Sequence, residues 1–179
     1  PYGWLEGYDP NWTPNTTDRQ NKRYRFGNQA HIAQWNLYQL ANALYPLIED
    51  TKPLEDALHR YAKEFEQKHT AMMRAKLGLT RQSEDDVSFL EALETTLELT
   101  ETDMTIFFRL LSRVEKSDTS KKALNKLRKA FYRPDRLDAK HLPAWEAWLD
   151  SYLEKINLEN LSDELRKQHM NTVNPKYVL

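Results

Sequence analysis

From Gln29 onward the apolar positions of this chain recur at threes and fours, the spacing that lines one face of an α-helix. Ile32, Trp35, Tyr38, Ala41, Leu44, Tyr45 and Ile48 mark a first helix. Leu54, Leu58, Tyr61, Phe65, Met72 and Leu77 mark a second, with Pro53 in its first turn and Gly78 as a C-terminal cap. Ser83, three residues before Asp86, is the expected N-cap of a third helix carrying Val87, Leu90, Leu93 and Leu97. Thr100 or Thr102 is the expected cap of a fourth, which holds Ile106, Phe107, Leu110, Leu111 and Val114. A short basic helix follows over about 120–132. A strongly amphipathic helix then carries Leu142, Trp145, Trp148, Leu149, Tyr152, Leu153 and Ile156, and a last one runs from about Ser162 to Asn171. No alternation of period two survives inspection, so the predicted class is all-α.

Residues 1–28 behave differently. The stretch YGWLEGYDPNWTPNTTD has neither helical nor strand period, but it is rich in turn residues and large rings. It reads as an ordered loop that lies against a surface, and that surface is not evident in the chain itself. The only boundary drawn from sequence therefore separates a loop, 1–28, from a helical body, 29–179. Trp35, Trp145 and Trp148 fall on apolar stripes and are expected in the core, whereas Trp4 and Trp12 sit in the loop.

Composition narrows the function more by exclusion than by assignment. The 179 residues are 40% hydrophobic and 30% charged, with net charge −1, which does not suit a uniformly basic nucleic-acid binder. Zero cysteines exclude disulfides and thiolate metal sites and fit a cytoplasmic protein. No run approaches the ~18 apolar residues of a membrane span. Asn11-Trp12-Thr13 and Asn15-Thr16-Thr17 match the glycosylation pattern by chance. The chain opens without Met and closes at Val178-Leu179 without a polar tail, as an excised piece of a longer protein would.

Sites of chemistry are sparse. Glu66 and His69 form a single Glu-x-x-His step, where a di-iron bundle needs two and further glutamates, so solvated histidines are expected. There is no Gly-rich phosphate loop and no nucleophile elbow. Charge is segregated: residues 84–103 hold eight acids and no base, and residues 121–136 hold seven bases and one acid. Two solvated faces account for this. The functional alternative is a non-catalytic helical module that binds RNA or an acidic protein through 121–136.

The segments GWLEGYDPNWTPNTTD, YRFGNQ and QWNLYQLA, with VNPKYVL at the other end, resemble the selenoprotein O (SelO) family. The similarity covers essentially the whole chain in order. It is tight over 3–41 and 173–179 and looser between. The resemblance implies the helical, bundle-like C-terminal part of a protein-kinase-like fold, preceded by an activation-segment-like loop. The implied activity is transfer of AMP from ATP to Ser, Thr or Tyr hydroxyls of protein substrates, with Mg2+ or Mn2+ as the metal.

In that family Pro1 would follow an Asp-Tyr-Gly tripeptide. The nucleotide-binding lysine, its glutamate partner, the proposed catalytic base and the metal-binding Asp would all lie upstream. No catalytic, cofactor-binding or metal-binding residue is therefore expected in this segment, and by itself it should be inactive. Asp9, Asn11, Asn15 and Asp18 in the loop, with Arg25, Asn28 and Gln29 after it, are the expected organisers of the active-site region. Pro14 stands where some family members carry a cysteine linked to redox control. Neither membrane nor nucleic acid is an expected partner.

Overall fold

The computed structural model describes residues 5, 7–14, 17, 20–137 and 139–177. Its described residues form seven α-helices: α1 Gln29–Ile48, α2 Lys52–Leu77, α3 Asp86–Leu99, α4 Met104–Leu111, α5 Ser120–Leu127, α6 Leu142–Leu158 and α7 Asp163–Val173. Single 3-10 turns occupy Phe26–Asn28, Arg128–Ala130 and Pro134–Arg136. The fold is all-α. Two isolated β-bridges, Gly7 with Asp103 and Thr102 with Phe131, are the extended pairings seen among the described residues. Among these residues, no helix is long and apolar enough to cross a membrane.

The chain separates into two compact units: 1–5 with 9–69, and 6–8 with 70–179. The division falls within α2, between His69 and Thr70.

In the larger unit α6 is the central element. Trp145, Trp148, Leu149, Tyr152, Leu153 and Ile156 are all buried. The Trp148 ring is stacked between Phe89 of α3 and Tyr152, each 5.4 Å away by centroids. Phe131 meets Trp145 edge-on at 5.0 Å, and Phe107 of α4 lies 5.9 Å from the same ring. Several polar atoms in this core are paired, although the Trp148 indole N–H and the Arg166 Nε–H are buried without a hydrogen-bond partner among the described residues. The Trp145 indole N–H donates to Thr100 Oγ1 at 3.2 Å, and the Tyr152 hydroxyl donates to the Leu77 carbonyl at 2.9 Å. Arg166 of α7, fully buried, donates to the Tyr152 oxygen at 3.0 Å, to the Val114 carbonyl and to Asp163. Burial pushes the Tyr152 hydroxyl up to about 12, with Arg166 acting in the opposite sense.

Helix ends in this unit follow local chemistry, in two places differently from the sequence expectation. Gly78 ends α2 with φ +71, as a C-cap requires. Ser83 is not the N-cap of α3; Asp85 holds that position, and the Ser83 backbone N–H instead donates to Asp86 Oδ2 at 3.1 Å. Neither Thr100 nor Thr102 caps α4. Both are buried beneath the helices, and Asp103 caps it by accepting from Ile106 N at 2.8 Å. The basic helix is α-helical only to Leu127, and α7 continues to Val173.

In the smaller unit α1 presents a largely exposed surface. Ile32 is its one buried residue. Trp35, expected in the core, is 44% exposed, and Tyr38, Leu44, Tyr45 and Ile48 are exposed as well. The guanidinium of Arg23 lies over the Trp35 ring at 3.8 Å, a cation–π contact that suits a ring left at the surface. His69, expected to be solvated, is half-buried and stacked on Phe65 at 5.7 Å.

Candidate functional site

The loop before α1 is fastened by its own backbone. Phe26 N donates to the Trp12 carbonyl at 2.9 Å, and Gly27 N donates to the Pro10 carbonyl at 2.9 Å. These two bonds bring residues 10–12 against 26–27 and close the intervening segment. The approach requires a glycine. A Cβ at position 27 would lie 2.9 Å from Pro10 Cβ and 3.1 Å from the Pro10 carbonyl oxygen.

Five of the seven predicted organisers are described; the side chains of Asp9, Arg25, Asn28 and Gln29 engage nearby backbone, and Asn11 takes part through its own backbone N–H. Asp9 Oδ1 accepts from Asn11 N at 2.8 Å, and the Asp9 carbonyl accepts from Trp12 N at 3.1 Å, which together form an Asx-type turn. Asn28 stands at the N-cap of α1, yet its side-chain amide donates backwards to the Arg23 carbonyl at 2.7 Å. Gln29 donates to the carbonyls of Tyr24, at 2.7 Å, and Arg25, at 3.2 Å. Arg25 reaches the Lys22 carbonyl at 3.5 Å, the long limit of such a bond. Lys22 itself adopts a left-handed turn with φ 45. Asn15 and Asp18, like Trp4, lie outside the described residues.

The structure thus gathers Asp9 and Asn11 at the entry of the clasp and Arg25, Asn28 and Gln29 at its exit into α1. The chemistry of this arrangement is positional. Short polar side chains satisfy backbone donors and acceptors that a loop of this length would otherwise leave to water. Among the described residues no group of three or more His, Asp or Glu side chains could hold a metal ion.

Tyr8 belongs to the larger unit. Tyr8 N donates to the Thr102 carbonyl at 3.1 Å, and the Tyr8 ring packs against the buried core. Burial, followed by the nearby charges of Glu94 and Glu98, pushes its hydroxyl far up.

Arg23, Tyr8 and the Pro10–Gly27 contact were not legible from sequence. Arg23 and Trp35 are twelve residues apart with no helical register joining them. Gly27 is one of only four glycines in the chain, and that scarcity is a usable signal.

The charged stretches also resolve into separate roles. Asp86, one of the eight acids expected on a solvated face, is buried and paired with Arg74 at 3.1 Å. Asp85 pairs with Lys155 at 2.7 Å, and that bond, with a second from Ser83, holds its carboxyl below the usual range. In the basic stretch, Lys122 and Lys126 converge on the buried Asp118 at 2.8 and 2.5 Å. Burial opposes the Asp118 charge, but these donors and Glu115 N outweigh it and keep the carboxyl below its ordinary value.

The family described as Protein adenylyltransferase SelO matches residues 1–179. Protein nucleotidyltransferase YdiU of Flavobacterium johnsoniae is 56% identical over 179 residues, covering 100% of this chain and 34% of its own length. Proteins of the same name from Aromatoleum aromaticum and Rhodopirellula baltica are each 44% identical across the whole chain, covering 34% and 35% of their lengths. The chain spans about a third of the length of these curated relatives. Matched from its first residue to its last, it belongs to the SelO family of protein adenylyltransferases.

Proposed function

We propose that this chain is the helical C-terminal segment of a protein adenylyltransferase that transfers AMP from ATP to Ser, Thr or Tyr hydroxyls of protein substrates. In the transfer, a substrate hydroxyl oxygen bonds to the α-phosphorus of ATP and gives up its proton. The bond from that phosphorus to the bridging oxygen breaks, and pyrophosphate leaves. The observation that carries this proposal is the family match over all 179 residues. The absence of cysteine supports a cytoplasmic setting.

ATP and Mg2+ or Mn2+ are cofactors of the whole protein in this proposal. The described residues do not fit a metal ion by themselves: Asp9 is the one described carboxylate of the clasp, and its Oδ1 is engaged by Asn11 N. The segment's own part is to hold the loop in register through the Pro10–Gly27 and Trp12–Phe26 bonds and to carry it on α1. Stabilisation of a transferring phosphoryl group needs positioned metal and basic groups, so the segment alone is inert.

The test supplies the full-length protein with ATP labelled at the α-phosphate or, separately, at the γ-phosphate, with the 179-residue segment as a control. Label entering protein only from the α position is the expected result. Label only from the γ position would indicate a kinase, and no label from either would overturn transfer altogether. Label transfer by the segment alone would refute its inertness.

A further inference from the structure

An open groove with a cavity volume of about 860 Å³ runs along α4, α5 and the 3-10 turns that follow. Ile106, Leu110, Phe131 and Pro134 form its apolar floor. Arg113, Arg128 and Lys129 stand on its rim, with the Asn125 amide between them, and all three cations are exposed.

Their state differs from that of their neighbours in sequence. Lys122 and Lys126 are held by Asp118, Lys126 also reaches Glu115 at 3.3 Å, and Arg133 pairs with Asp135 at 3.0 Å. Among the described residues, no carboxylate pairs with Arg113, Arg128 or Lys129. The basic stretch is thus sorted by the fold. Three of its seven bases are engaged locally, two remain at the groove, and Arg113, outside the stretch, joins them from the end of α4.

We propose that this groove docks a short acidic peptide segment of a protein partner. An aliphatic or aromatic side chain would sit on the floor, and Asp or Glu carboxylates would meet Arg113, Arg128 and Lys129. The proposal rests on the reading of the whole protein as an enzyme acting on proteins. Charge complementarity selects the occupant: guanidinium groups pair carboxylates in a planar, two-bond geometry, and three cations over an apolar floor match a few carboxylates around one anchor. A single-stranded nucleic acid would need exposed ring faces for stacking. Phe131 is buried and packed edge-on against Trp145. Tyr132, the neighbouring ring, donates its hydroxyl to Asp103 at 3.4 Å, beside a negative charge that repels phosphate.

The proposal is tested on the full-length protein by fluorescence anisotropy. Three labelled probes are used: a synthetic peptide of Glu and Leu around one Phe, its Gln-for-Glu counterpart, and an oligouridylate. The Glu peptide should bind about tenfold more tightly than the Gln peptide at low salt, and the difference should narrow as salt screens it. The paired substitutions Arg128→Glu and Lys129→Glu should weaken the Glu peptide about tenfold. Ile106→Ser, at an exposed floor residue, should weaken both peptides about threefold.

The pair Arg60→Glu and Lys63→Glu changes net charge equally on exposed positions of α2 and should leave binding unchanged. An equal loss in that control would reduce the effect to net charge and overturn the groove. Equal binding of the two peptides, or unchanged binding after charge reversal at 128 and 129, would also overturn it. Tighter binding of oligouridylate, lost on the same reversal, would replace the peptide by RNA. Peptide binding needs no ATP, so the two proposals fail separately. Binding without label transfer from α-labelled ATP would sink the transferase alone, and transfer without binding would sink the groove alone.

Discussion

α1 and α6 have the same apolar spacing and opposite fates. The six apolar residues of α6 named above are all buried, whereas α1 buries Ile32 and leaves Trp35, Tyr38, Leu44, Tyr45 and Ile48 exposed. An amphipathic period defines a face. It contributes stability only when another surface removes that face from water, at about 25 cal/mol per Å² of apolar area. In the larger unit α3, α4, α5 and α7 supply that surface. In the smaller unit the described residues leave the face of α1 open.

The largest expected effect is in α6. Trp145→Ala should lower stability by about 3–5 kcal/mol, because it empties a sealed volume and removes the indole donor to the Thr100 hydroxyl. Urea denaturation measures this, and a loss below about 1 kcal/mol would erase the contrast. Gly78→Ala comes next. Its φ of +71 is strained for alanine, and the new Cβ would lie 2.8 Å from Arg166 Cγ and Met170 Cγ, for a loss of about 1–3 kcal/mol. An unchanged urea midpoint would mean that α7 yields freely and the larger unit is looser than its burial implies.

Acidification tests the polar lining of the same unit. For Glu159, burial opposes the charge. Bonds from the Thr80 hydroxyl and from the Arg81 and Thr80 N–H groups outweigh it and depress the pKa, as the lysines do for Asp118. A folded-state pKa below the unfolded one contributes stability that is present above the unfolded value, about pH 4, and is lost as pH falls through the folded value. The urea midpoint should therefore decline below about pH 4, and Asp118→Asn should flatten that decline while costing about 1–3 kcal/mol at pH 7. A midpoint level down to pH 3 would contradict the sign.

The smallest effect belongs to α1. Leu47, 81% exposed, should tolerate Ala within about 0.5 kcal/mol, and acrylamide should quench Trp35 while sparing Trp145 and Trp148. Protection of Trp35 from the quencher would show that the face of α1 is covered and collapse the comparison from the other side.

The elements were legible because period, Pro53 and Gly78 act within a few residues. The caps of α3 and α4 were misassigned because Ser83, Thr100 and Thr102 are all good capping types. Which of them serves depends on contacts from elsewhere: Trp145 and the bridge to Phe131 hold Thr100 and Thr102 in the interior, and Asp103 is left at the helix end. Of the candidate site, the polar residues of the clasp were found by type. Their partners were not, since each bond goes to a backbone atom that no composition or spacing announces.

By itself the sequence determined the all-α class, the run of helices and the family, since these depend on local period and on residue identities in order. The tertiary structure alone decided which apolar faces are covered, which charges are paired and which cations line a groove. The reason is physical: burial and ion pairing belong to surfaces brought together, as Asp118 with Lys122 and Lys126, or Trp145 with Thr100 and Phe131, and neither partner carries the outcome alone.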